Sequence, residues 1–272
     1  MQPYSLTLTH NELLVILRLF GVESMNGLTA APLAGLDERQ VAERLNGGEA
    51  TLVSRGLLQH QDDDTAILDD ALLAFVGASV FPDAILLVSE TRRDGTNIPV
   101  YFNAATALMV EHVSPRPGIY VFTHIPDSAL LRQRVRMIAQ GILGEAPAPA
   151  EHAVSIGDQD LADVLAQVRA NDQAGAMQLL EQAGWPQAAI RPFVADLATA
   201  TIVTGVAATG LRDADQPDSQ SIMIVRGATA CWLIDQHAAG DPAMLRVRAV
   251  DGQTCLESLQ ALAEPLAKTL GA

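Results

Sequence analysis

The sequence predicts an α+β fold of two diverged repeats, each an antiparallel β-meander covered by helices, related by a quasi-two-fold axis. Three observations predict it. First, the apolar period of the 272-residue chain twice changes from helical to strand spacing. Second, Glu145-Ala-Pro-Ala-Pro-Ala150 has the composition of an extended spacer and divides the chain near its middle. Third, the halves match in order when superposed. Phe75-Val76 falls on Phe193-Val194 at an offset of 118, and Ala105-Thr106-Ala107 on Ala228-Thr229-Ala230 at 123. Ile119 and Leu131 fall on Met244 and Leu256 at 125, a one-way drift of the kind short loop insertions produce. The expected units are residues 1–144 and 152–272, with a Pro/Ala linker over 145–151.

In the first unit, Thr9 and Glu12 form a capping box, and Leu8 and Leu13 a hydrophobic staple. Leu13, Ile16, Leu17 and Phe20 follow at helical spacing until Gly21. Asp37 opens a second helix carrying Val41, Ala42 and Leu45. A third helix is expected after Gly47-Gly48, running to about Leu58. With Thr65–Leu68 as a short wing strand, this N-terminal segment is winged-helix-like. Gln61 to Asp64 reads as a polar turn and Asp69 to Ser79 as a helix. Strands follow at Ile85–Thr91, Ile98–Asn103, Ala107–Val113 and Ile119–Thr123, with a hairpin turn at Asp94-Gly95. Ile119 to His124 does not alternate cleanly, so both faces are expected to be covered there, by two sheets joined about the axis. Pro126 starts a helix carrying Leu131, Val135, Ile138 and Ile142 inward.

The second unit repeats the order. Ser155 and Asp158 suggest a capping box before the stripe Leu161, Val164, Leu165 and Val168. Further helices run from Asp172 to about Gly184 and from Pro186 to Leu197. Strands are expected near Thr199–Ala207, Ser221–Arg226, Thr229–Asp235 and Met244–Val250. Asp251 caps a last helix carrying Leu256, Leu259, Ala263 and Leu266.

Composition narrows function. There are 32 acidic and 17 basic residues, a net charge of -15, divided as -6 before residue 145 and -9 from there on. Apolar residues make up 49%, enough for a core and too many for a disordered acidic tail. The charge argues against a general nucleic-acid binder. Lys268 is the single lysine, so a catalytic-lysine mechanism has one candidate. Cys231 and Cys255 are too few for a disulfide framework and read as structural thiols. No basic and then apolar leader opens the sequence, and no apolar run approaches membrane-span length, so a soluble cytoplasmic protein is expected.

The helix, meander and closing-helix order resembles the EspG family of type VII (ESX) secretion. The resemblance is carried by the hairpin Thr91-Arg-Arg-Asp-Gly95, by the strand pairs Asn103–His112 and Arg226–Gln236, and by the closing helix Asp251–Leu270. It implies a cytosolic chaperone of two quasi-symmetric α+β halves that binds helical secreted substrates. In that family, partners meet a long hairpin loop and the helical part of the C-terminal half. These correspond to Arg92–Asn97 and Asp158–Trp185.

Three residues are the expected partner contacts. Arg92 and Arg93 sit at a hairpin tip, where cations on an acidic protein could receive an acidic partner. Trp185, between Gly184 and Pro186, is expected to be partly exposed as an aromatic anchor, with core packing as the alternative. No catalytic, cofactor or metal residues are assigned. His112 and His124 could face each other across a hairpin, and His237 follows the equivalent strand in the second half, but no pair has zinc-helix spacing. The acidic run Asp62-Asp63-Asp64 lacks a calcium-loop pattern. No phosphate loop or nucleophile elbow is present. The leading expectation is a non-enzymatic protein-binding module. The alternatives are a transcription-associated protein using the winged-helix-like segment and an enzyme with a site between the halves.

Overall fold

The computed structural model describes residues 4–28, 33, 35–61, 65–106, 108–144, 152–212, 218–236 and 244–270. The 145–151 linker, Asp62–Asp64 and His237 lie outside them. The first half runs β1 (Ser5–Thr9), α1 (His10–Leu19), α2 (Glu38–Ser54), β2 (Leu58–His60), β3 (Ala66–Leu68), α3 (Asp70–Val80), β4 (Ala84–Thr91), β5 (Asn97–Ala105), β6 (Leu108–Arg116), β7 (Ile119–His124) and α4 (Ser128–Leu143). The second runs β8 (Ala153–Gly157), α5 (Asp158–Arg169), α6 (Gln173–Gln182), α7 (Gln187–Thr199), β9 (Thr201–Thr209), β10 (Asp218–Arg226), β11 (Cys231–Gln236), β12 (Met244–Val250) and α8 (Gly252–Thr269). Apart from the β2–β3 hairpin, both halves read strand, three helices, four strands, helix.

The meanders do not form two sheets. They join into one ten-stranded antiparallel sheet of order β1-β7-β6-β5-β4-β9-β10-β11-β12-β8. The seam is β4 against β9, in register from Ala84↔Thr209 to Thr91↔Ile202. Read outward from this pair, both directions give the same sequence of equivalent strands. Antiparallel pairing of equivalent strands is what a two-fold axis between them requires. A strand paired on both edges leaves no open ladder, so the seam covers one edge of each half, β4 and β9, and leaves β1 and β8 at the ends of the joined sheet.

Neighbouring residues on a strand point to opposite faces, and the cores divide accordingly. Met109 and Ile224 belong to a core under α4 and α8. Val110 lies in a second core with α1–α3, and Val225 in a third with α5–α7. One face thus carries α4 and α8, and the other carries two separate helix clusters. α8 lies close to β9 at Gly205, where a Cβ would come 2.9 Å from both Leu259 and Leu262. On β7 one face is buried and the other partly covered. Tyr120 and Phe122 are buried while Ile119, Val121 and Thr123 are half-buried, a regular alternation.

Local signals set several ends. The Thr9–Glu12 capping box forms, with Glu12 accepting from Thr9 N–H at 2.7 Å. The Glu12 carboxylate is fully buried and also meets Arg55 Nη1 at 2.5 Å. Asp251 accepts from Thr254 N–H at 2.7 Å and starts α8. Two expectations change. Ser155 lies in β8 rather than in a capping box, and α5 begins at Gly157 without a side-chain cap. The two helices expected on either side of Gly47-Gly48 are one helix, α2. The reason is a close crossing of α1 and α2. At Gly48 a Cβ would stand 2.4 Å from the backbone oxygen of Asn11. Gly48→Ala should destabilise the protein by about 1–2 kcal/mol, although alanine is the better helix former. Urea denaturation decides this, and a stabilised variant would contradict the close crossing.

Candidate protein-binding surface

The two helix clusters leave the middle of their shared face uncovered. Leu86 and Val88 point into the α4/α8 core, so Leu87 points the other way. The same alternation places Tyr101 beside Phe102, Ser221 beside Ile222 and Val206 beside Gly205 on this open face. The pairings Tyr101↔Leu87, Leu87↔Val206 and Val206↔Ser221 lay them in one row across β5, β4, β9 and β10. Ile85, Leu87 and Val206 are half-buried and belong to none of the three cores.

Clefts open on both sides of this floor. One, of about 790 Å³, is lined by Val80, Phe81, Pro82, Ile85 and Leu211, with Arg212 and Asn26. Phe81 is 45% exposed there. Arg212 donates to the Phe81 carbonyl at 2.6 Å and pairs with Asp83 at 3.0 Å, which holds this corner. The other cleft, of about 240 Å³, lies between α5 and the sheet and includes Asp158, Leu161, Leu165, Thr204 and Met223.

The β4–β5 hairpin closes where Asp94-Gly95 predicts. Gly95 adopts a φ of 81°, its N–H donates to the Arg92 carbonyl at 2.9 Å, and Arg92 N–H donates to Thr96 O at 2.9 Å. Asp94 accepts from Thr96 N–H at 2.8 Å, and bonding to Thr96 holds its carboxyl below the usual range. Arg92 is committed to Glu90 at 2.9 Å. Arg93 is exposed and has no ion-pair partner among the described residues. The tip therefore offers one free cation beside the exposed Ile98.

Trp185 is not on this surface. It is 5% exposed, its indole N–H donates to the Ser155 carbonyl at 2.9 Å, and its ring lies 5.1 Å from that of Phe193. Gly184 at φ 81° turns the chain so that the indole folds back onto β8. An indole whose polar atom is already paired inside the core is a packing residue, so the expected anchor role is withdrawn. Trp232 is core as expected, and its indole N–H meets Asp196 at 2.9 Å.

The histidines do not converge. His112 pairs in register with Phe122 and stacks on it at 4.6 Å, whereas His124 pairs with Val110 and stacks on Phe75 at 6.0 Å. Among the described residues no group of His, Cys, Asp or Glu could hold a metal ion. Asp69 accepts from the N–H groups of Ala71 and Leu72, a helix-capping use of the acidic pair Asp69-Asp70. Cys231 and Cys255 are buried free thiols. No described helix is long and apolar enough to cross a membrane.

The sequence could have flagged the open floor through β4 and β9. Both are apolar at successive positions, which marks a strand covered on two faces or one with a face to spare. The charge of α5 carried no comparable signal, because Asp158 and Asp160 also suit a helix start.

No protein-family model and no curated protein matches the chain. Its fold is similar to that of a solved type VII secretion system chaperone. One similar solved structure is that of EspG5 of Mycobacterium tuberculosis in complex with a PE25–PPE41 dimer. The match has a TM-score of 0.65 at 13% identity and covers 96% of each chain. At that identity the likeness is one of fold.

Proposed function

We propose that the chain is a non-enzymatic cytosolic binding protein, acting as a chaperone or adaptor for a helical protein partner of the kind exported by type VII secretion. The observation that carries the reading is the full-length fold similarity to a chaperone solved with a protein dimer. The open apolar floor supports it, since contiguous half-exposed apolar residues between two helix clusters suit protein contact. In this reading Arg92 and Arg93 extend the contact along the hairpin, with Arg93 as the cation free to meet a partner. The two halves descend from one repeated unit, and the continuous sheet gives the partner a single rigid platform.

The test is affinity capture by the tagged full-length protein from its native cells, followed by identification and reconstitution with the purified partner. A stoichiometric helical partner is expected. The double variant Arg92→Glu, Arg93→Glu should weaken its binding by roughly tenfold, about 1.4 kcal/mol, with unchanged thermal stability. Failure to reconstitute any helical partner would overturn the reading.

A further inference from the structure

We infer that the element received by the open face is an amphipathic helix whose apolar stripe is flanked by lysine or arginine. This rests on the protein-binding reading above and adds the chemistry of the partner.

The sheet itself selects a helix over a strand. β4 and β9, which form the floor, are hydrogen-bonded on both edges. An incoming strand would find no free ladder there, so strand addition is closed at this site. Only side-chain contact with Ile85, Leu87, Val206 and their neighbours remains. The occupant must satisfy its own backbone hydrogen bonds, which a helix does.

Charge selects the flanks. The net charge divides by layer far more sharply than by half. The described residues of 10–80, which form α1–α3 and their connections, hold 8 acidic against 4 basic side chains. Residues 158–199, which form α5–α7, hold 6 against 2. The described residues of the two clusters beside the floor thus carry a net charge of -8. The opposite layer differs. α4 contains Arg132, Arg134 and Arg136 and no acidic residue.

Several carboxylates are held by cations, including Glu12 by Arg55 and Glu43 by Arg39 in the α1–α3 cluster. Glu111 is held by Arg134, Glu264 by Arg132, and Asp235 by Arg246 and Arg248. On α5, Asp158, Asp160 and Asp163 are exposed and have no cation partner among the described residues. Asp158 lines the cleft beside Leu161 and Leu165. A helix laid on the floor brings its flank to Asp158, while Asp160 and Asp163 on the same helix add to the negative potential there. A basic flank is attracted during approach and paired on arrival, and an acidic flank is repelled.

The probe is a fluorescein-labelled synthetic helical peptide of leucine and lysine at amphipathic spacing, titrated with the full chain and followed by anisotropy. Its glutamate counterpart is the second arm. The lysine peptide should bind and weaken with added salt, and the glutamate peptide should not bind. Asp158→Asn, Asp160→Asn and Asp163→Asn together should weaken the lysine peptide by roughly tenfold. A control triple, Glu38→Gln, Glu43→Gln and Asp70→Asn, removes the same charge from α2 and α3 and should change binding by less than about threefold. Denaturation curves of both triples confirm folding. Equal weakening by the two triples, binding of the glutamate peptide, or no binding of the lysine peptide would each overturn the inference. A captured helical partner indifferent to the α5 triple would overturn it too, while leaving the protein-binding reading in place.

Discussion

Asp196→Ala is expected to destabilise the protein by about 4 kcal/mol, a large share of the 5–15 kcal/mol that holds a typical domain together. Asp196 sits in the last turn of α7, 1% exposed, where the helix dipole disfavours a carboxylate. It stays because four donors converge on it. They are Thr229 N–H at 2.9 Å, Thr229 Oγ1–H at 2.7 Å, Ala230 N–H at 3.1 Å and the Trp232 indole N–H at 2.9 Å. The carboxylate closes the β10–β11 turn and passes over Gly227, where any Cβ would collide with it. In the alanine variant Thr229 can turn to water. Ala230 N–H and the Trp232 indole are buried and cannot, and each orphaned donor costs about 1–3 kcal/mol. Asp196→Asn keeps the shape and loses half the acceptors, so it should fall between alanine and the parent. Urea denaturation followed by tryptophan fluorescence orders the series. An alanine variant within about 1 kcal/mol of the parent would refute the lock.

The second large effect is a dependence on pH. His112 is 1% exposed, and neither ring nitrogen has a hydrogen-bond partner. It stacks between Phe122 at 4.6 Å and Tyr101 at 5.8 Å, with Tyr120 at 5.9 Å. Gly27 closes over it, where a Cβ would approach His112 Cε1 to 2.8 Å. Burial among these rings disfavours the imidazolium and lowers the pKa from 6.5 to about 4. The unfolded chain therefore takes up this proton first. Stability is complete above pH 6.5, falls as the pH drops below it, and levels off near pH 4. The loss from this residue is about 3 kcal/mol. His10, also lowered mainly by burial, adds a loss of the same sign. His112→Phe removes only the first contribution and leaves no nitrogen unpaired. The variant should equal or exceed the parent at pH 7.5, and its lead should widen by pH 4.5. Parallel denaturation midpoints for both proteins across this range would contradict the assignment.

Local chemistry made much of the fold legible. The Thr9–Glu12 box, the Asp251 cap and the Asp94-Gly95 turn depend on residues within a few positions of one another, and each forms as the sequence predicts. The four strands of each meander were readable from apolar runs between turn residues. The edge strands β1 and β8 were not. Each spans five residues, too few for a period of two to stand out, and each runs straight into a helix. Gly47-Gly48 reads as a break until α1 is seen pressing against Gly48. Of the three expected partner contacts, Arg92 and Arg93 are exposed at the tip, where a hairpin turn must project them. Trp185 went inward because Ser155, thirty positions away in the chain, supplies the carbonyl its indole needs. The acidic start of α5 acquires meaning only when Asp158 is set beside the floor of β9 and β10.

The sequence by itself determined most element types and the order of the meanders and closing helices, the acidic balance and the hairpin cations, because these depend on short-range spacing and composition. The tertiary structure decided that the two meanders share one sheet, that Trp185 is core and that an apolar floor lies open between acidic helix clusters. These outcomes depend on which strand edges pair and which carbonyls lie within reach of a buried donor, and both are set by contacts between residues far apart in the chain.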